Sequence, residues 1–159
     1  MAPEMDIVAH TAQDTRELGR ALGRLLKPGA VVSVEGPLGA GKTTFIDGLA
    51  RGLGCSLGAT SPSFALVHVY PGRIPLVHAD LYRIQSPEEA EELALEEIQS
   101  EQEAVLAVEW ARGFVALLPR ERVVVRIEFC HEGRKIAVAG EGPEAKQVVE
   151  KLRHDYPGV

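Results

Sequence analysis

Apolar residues recur along this chain at two spacings, and the switches between them mark out its elements. Residues 5–9 read as a short strand, and Thr11-Ala-Gln-Asp14 follows with the hydroxyl-x-x-acid look of a helix N-cap. Leu18, Leu22, Leu25 and Leu26 repeat at helical spacing until Pro28-Gly29, which predicts a helix to about residue 26. Residues 30–34 are a β-branched run of the kind buried in a sheet, and they lead straight into a glycine-rich loop. Beyond the loop, residues 43–54 read as a helix closed by Gly52 and Gly54. Two strand-like runs at 64–70 and 74–79, separated by Pro71-Gly72-Arg73, predict an antiparallel hairpin. Ser86-Pro-Glu-Glu89 is a capping box with proline at the first helical position, and starts a helix that continues towards residue 103. Residues 104–108 predict a buried strand, 114–118 a short helix, 122–129 and 135–139 a second hairpin around Glu132-Gly133, and 143–154 a closing helix.

Strands and helices in this order predict an α/β fold, a P-loop NTPase-like three-layer sandwich whose sheet is mixed because of the two hairpins. At 159 residues, with no internal repeat and no low-complexity linker, residues 1–159 are expected to form a single domain. The sequence lacks an apolar run of 18 or more residues and its N-terminus does not read as a signal peptide or anchor. No membrane association is expected. Cys55 and Cys130 lie far apart, without zinc-finger spacing, which suits a reducing cytoplasm.

Charge changes the picture in one place. Of the 23 acids behind the net charge of −6, eight are glutamates between residues 88 and 103, a stretch with no lysine or arginine. The remaining 15 acids face 17 bases, without the basic block that marks a direct nucleic-acid binder. The acidic stretch reads as the solvated side of a helix, with an interaction face for a basic partner as the alternative.

The glycine-rich loop carries the chemistry. Gly36, Pro37, Leu38, Gly39, Ala40, Gly41, Lys42 and Thr43 match G-x-x-x-x-G-K-[ST] in full, between a strand and a helix. Glycines let the backbone turn its N–H groups towards phosphate oxygens, and the positive end of the following helix adds attraction. Lys42 is placed to reach the β- and γ-phosphates, and the Thr43 hydroxyl is a hard oxygen suited to magnesium. Thr44 is expected to contact the helix or a neighbouring phosphate. ATP and magnesium are therefore the expected ligands. A carboxylate at the end of a neighbouring apolar strand should position the ion, and Asp80 and Glu109 both qualify. The spacing leaves open which of them touches the metal and which organises the attacking water. Thr60-Ser-Pro-Ser-Phe64 reads as a phosphate-sensing switch or a turn. His68, His78, His131 and His154 read as scattered structural or surface histidines, and Trp110 as a core residue, with stacking on a base as its alternative.

Gly36 to Thr43, Thr60 to Phe64, His78-Ala-Asp80-Leu-Tyr82-Arg83 and Glu109-Trp110, in that order, resemble the bacterial TsaE (YjeE) family over most of the chain. The resemblance implies an ATPase needed to make threonylcarbamoyladenosine beside the anticodon of tRNA. It would act with a TsaB–TsaD assembly and meet tRNA only indirectly. It also implies that Thr43 and Glu109 are magnesium ligands, that Lys42 clamps phosphate and that Asp80 is required for hydrolysis. Residues 61–64 would be a nucleotide-responsive switch, and Thr11 and Arg134 would lie near the nucleotide. Pro37 stands where the family often has aspartate, and Ser63 where threonine is usual.

Two other classes fit a P-loop. A small-molecule kinase would carry an arginine-bearing lid, which the stretch 88–103 does not supply. A non-catalytic module would use ATP only to order a switch for binding a partner. Arg83 is an in-chain candidate for an arginine finger.

Overall fold

The computed structural model describes residues 4–56 and 66–156. Among the described residues seven strands form one sheet: β1 (Glu4–Ala9), β2 (Val31–Glu35), β3 (Val67–Tyr70), β4 (Leu76–Asp80), β5 (Val105–Glu109), β6 (Arg122–Cys130) and β7 (Gly133–Glu141). Their order is β1-β7-β6-β2-β5-β4-β3. The four central strands β6, β2, β5 and β4 run parallel. Antiparallel partners extend both sides, with β3 on β4 and with β7 on β6 followed by β1 on β7. The sheet is thus mixed, and its two predicted hairpins are present.

The helices are α1 (Ala12–Leu25), α2 (Lys42–Gly52), α3 (Pro87–Glu92), α4 (Leu95–Gln102) and α5 (Pro143–Asp155), with a 3₁₀ segment at Ala111–Leu117. Alternation along the strands sends side chains to both faces of the sheet. Val32, Val34, Val105, Ala107, Val123 and Val125 join Leu18 and Leu22 of α1, Phe45 and Leu49 of α2, and Val149 of α5 in one buried cluster. Val31, Val77, Ala79, Leu106 and Val108 form a second cluster on the opposite face, closed by Leu93, Leu95, Ile98 and Phe114. Towards the antiparallel end this second face exposes Arg126, Glu128 and Lys135, while Val124 remains buried. Among the described residues no helix is long and apolar enough to cross a membrane.

Two readings of the sequence are corrected here. The acidic helix is two helices, broken where Ala94 takes a left-handed φ of 53°. The short helix expected at 114–118 is a 3₁₀ segment that begins earlier, at Ala111, because Trp110 turns the chain with a φ of 60° at the end of β5. The first hairpin strand is described from Val67, and its predicted residues 64–65 lie outside the described residues.

Helices α1 and α2 run parallel and touch through glycine. A Cβ at Gly48 would fall on the backbone carbonyl oxygen of Arg16, and one at Gly19 on that of Phe45. Close approach brings the N-terminus of α1 beside that of α2, at the carboxyl end of β2. Ligands of open α/β sheets gather at this end of the strands.

Candidate functional site

The loop from Gly36 to Gly41 joins β2 to α2, and Gly41 is the N-cap residue with φ of 108°, a conformation that a side chain would strain. The first N–H groups of α2 have no partner within the helix and point out of its end, together with the positive pole of its dipole. Lys42 opens the helix with its side chain folded back along the loop. Its Nζ donates to the carbonyls of Gly36 at 2.8 Å and Pro37 at 2.9 Å. The ring of Trp110 covers the same ammonium, 4.1 Å from Nζ to the ring centroid. Burial lowers the Lys42 pKa, and the charges of Glu109 and Asp80 oppose that shift.

The two carboxylates come from adjacent parallel strands. Asp80 and Glu109 are register partners at the ends of β4 and β5. Both lie on the side of the sheet that carries α2, in step with Leu76 on one strand and with Val105 and Ala107 on the other. Asp80 Oδ1 accepts the backbone N–H of Tyr82 at 3.0 Å. Burial raises the Asp80 pKa, the Tyr82 N–H opposes the rise, and the charge of Glu109 adds to it. Glu109 is 3 % exposed and its Oε2 lies 2.6 Å from Nε2 of His78, which is wholly buried. One ammonium and two acids therefore face one another at the mouth of a helix N-terminus.

A second recess adjoins the loop on its other side. Thr11, Thr15, Gly39, Gly41, Thr44 and Arg134 are among the residues that line it, around a volume of about 300 Å³. Thr11 caps α1, accepting the N–H of Asp14 at 3.1 Å, while the Asp14 carboxylate accepts the N–H groups of His10 and Thr11. Arg134 Nε donates to Ala40 O at 3.0 Å, and its guanidinium lies 4.5 Å from the centroid of the Phe129 ring. It thereby ties the start of β7 to the loop.

The structure thus brings Lys42, Asp80 and Glu109 together, and places Thr11, Thr44 and Arg134 beside the loop. Thr43 follows Lys42 in the first turn of α2, at the same helix mouth. Leu38 projects into solvent at 74 % exposure. The stretch 60–64, read as a switch, lies outside the described residues. Two readings change. His78 belongs to the site rather than to a scatter of structural histidines, and its position two residues before Asp80 on one strand was the available signal. Trp110 rests on the second cluster at one edge but spends its ring face on Lys42, with Tyr82 packed 4.9 Å away between ring centroids. Its direct succession to Glu109 hinted at that place.

Known proteins resemble this chain over most of its length. Residues 9–136 match the family model described as threonylcarbamoyl adenosine biosynthesis protein TsaE. A tRNA threonylcarbamoyladenosine biosynthesis protein TsaE from Treponema pallidum is 40% identical over 136 residues, covering 85% of this chain and 100% of the relative. The Bacillus subtilis protein of the same description is 38% identical over 146 residues, 90% of each chain. The crystal structure of Bacillus subtilis YdiB superposes with a TM-score of 0.79 at 33% identity, over 98% of both chains. The chain belongs to the TsaE family of threonylcarbamoyl adenosine biosynthesis proteins.

Proposed function

We propose that this chain, acting as one P-loop domain in the cytoplasm, binds ATP with magnesium and hydrolyses it in support of threonylcarbamoyl transfer to a tRNA adenosine. TsaD and TsaB are the partners in that transfer, and tRNA is met through them. The observation that carries the reading is the convergence of Lys42, Asp80 and Glu109 on the N-terminus of α2. Family membership supports the pathway, and the site supports the chemistry.

The donor set suits a hard divalent cation. Magnesium takes one or two carboxylates together with phosphate oxygens and water, and Thr43, Asp80 and Glu109 offer oxygen donors of that type. When bound, the ion would neutralise charge on the β- and γ-phosphates. The chain's own residues account for the rest. Loop amides from Gly36 to Thr43 hold the phosphate oxygens, and Gly41 permits their approach. Lys42 exchanges its bonds to Gly36 and Pro37 for the terminal phosphates, and so reports their arrival within the loop. Asp80 and Glu109 divide two tasks, holding the ion and orienting the water that attacks in line. Thr11, Thr44 and Arg134 border the recess that would receive the rest of the nucleotide.

Phosphate release from ATP, measured with magnesium and with and without TsaD and TsaB, tests this reading. Lys42→Ala should lower turnover by about 10²–10³-fold, the loss typical of removing a charge-stabilising donor. Equal release by wild type and variant would reject it.

A further inference from the structure

His78 stands behind one of the two carboxylates. It is fully buried on β4, on the same side of the strand as Asp80, and its Nε2 lies 2.6 Å from Oε2 of Glu109. An ionised carboxylate only accepts, so Nε2 carries the proton and one oxygen of Glu109 is committed to it. The other ring nitrogen, Nδ1, has no hydrogen-bond partner among the described residues. The bond to Glu109 is therefore the polar service that this imidazole performs in return for its desolvation. Glu109 itself is nearly as deeply buried, which removes water as a competing donor to Oε2.

We propose that His78 is a positioning residue that limits Glu109 to a one-oxygen contact with a divalent cation, and so favours a small octahedral ion over a larger one. The proposal rests on the nucleotide-and-magnesium reading above and assigns the ion-holding task to Glu109 rather than Asp80. Calcium takes six to eight oxygens and readily accepts a carboxylate through both of its oxygens, whereas magnesium requires near-ideal octahedral geometry. Holding Oε2 against His78 occupies one of its lone-pair directions, which disfavours the two-oxygen mode and orients the remaining oxygen. Partners of this kind, behind a ligating group, typically change metal affinity by about 10–100-fold when they are lost.

Trp110 provides the readout. It is the sole tryptophan of the chain and lies over the Lys42 ammonium, so its fluorescence senses a polyphosphate entering the loop. The full chain is titrated with a non-hydrolysable ATP analogue in EDTA, in magnesium and in calcium, and the gain in affinity from each ion is compared. Wild type should gain more from magnesium than from calcium. His78→Gln, whose amide nitrogen reaches the place of Nε2, should keep that preference. His78→Asn, an amide too short to reach, should lose about 10–100-fold of the magnesium gain and treat the two ions alike. Thermal melts establish that each variant is folded, and His78→Leu replaces the asparagine variant if the latter is not. The proposal is overturned if the variant without the donor keeps the magnesium preference, if the glutamine variant loses it too, or if wild type shows none. Should wild type take up no nucleotide by calorimetry, the underlying nucleotide reading falls and the proposal with it, a result distinct from binding without ion preference.

Discussion

At Asp80 the protein holds a carboxylate where its charge is costly, because burial raises its pKa more than the Tyr82 N–H lowers it. A raised folded-state pKa means stability that is complete below the unfolded carboxylate range and lost as pH rises through the folded value. Asp80→Asn keeps an oxygen for the Tyr82 N–H and removes the buried charge. The variant should therefore melt above wild type at neutral pH, with the difference closing as the solution is acidified, while phosphate release falls. Melting curves across pH, read beside activity, check both halves; equal melting temperatures at neutral pH would contradict the argument. Such a trade of stability for a poised acid is expected of a functional group. Lys42, Asp80 and Glu109 were legible because each stands in a local pattern, a loop motif or the end of an apolar strand. His78 was legible only as a member of the His78-Ala-Asp80 motif; its bond to Glu109, 31 residues away on the neighbouring strand, was not.

Among the elements, the glycine-mediated crossing of α1 and α2 governs the loop's position. Gly48→Ala would press its methyl into the Arg16 carbonyl, which is backbone and cannot rotate away. Destabilisation of about 1–3 kcal/mol or more is expected by denaturant titration, as for other overpacked sites. Nucleotide affinity should fall with it, because α2 carries Lys42 and Thr43. Helix boundaries here were readable from spacing, but the closeness of the crossing was not, since Gly48 in sequence is no more than a weak helix former and Gly52 a helix end. The break between α3 and α4 has a tertiary cause. Successive helical residues differ by about 100°, so Leu93 and Leu95 of one continuous helix would face nearly opposite directions. The left-handed turn at Ala94 lets Leu93, Leu95 and Ile98 all meet the second cluster. Glutamate and leucine suit either outcome, and composition alone favours the unbroken helix.

Across the whole molecule, the order of strands was the part least visible in sequence. The run of strand and helix predicted a mixed α/β sheet, whereas placing β2 between β5 and β6 depends on pairings more than 70 residues apart. That order gives the two sides of the site different support. The loop side is braced by α1, by α5 and by Arg134 reaching over from β7. Among the described residues, the Asp80 strand β4 has as its outer neighbour only β3, half-buried and described over four residues, with the short helices α3 and α4 behind. Amide hydrogen exchange should be slowest in β2, β6, α1 and α2 and appreciably faster in β3, α3 and α4; the reverse order would contradict this division. The molecule is then a vice with one fixed jaw. The phosphate-holding jaw is bolted to the bulk of the protein, and so is Glu109 on the central strand β5, whereas Asp80 stands one strand nearer the thin edge, so strain applied from that edge should shift Asp80 before Lys42.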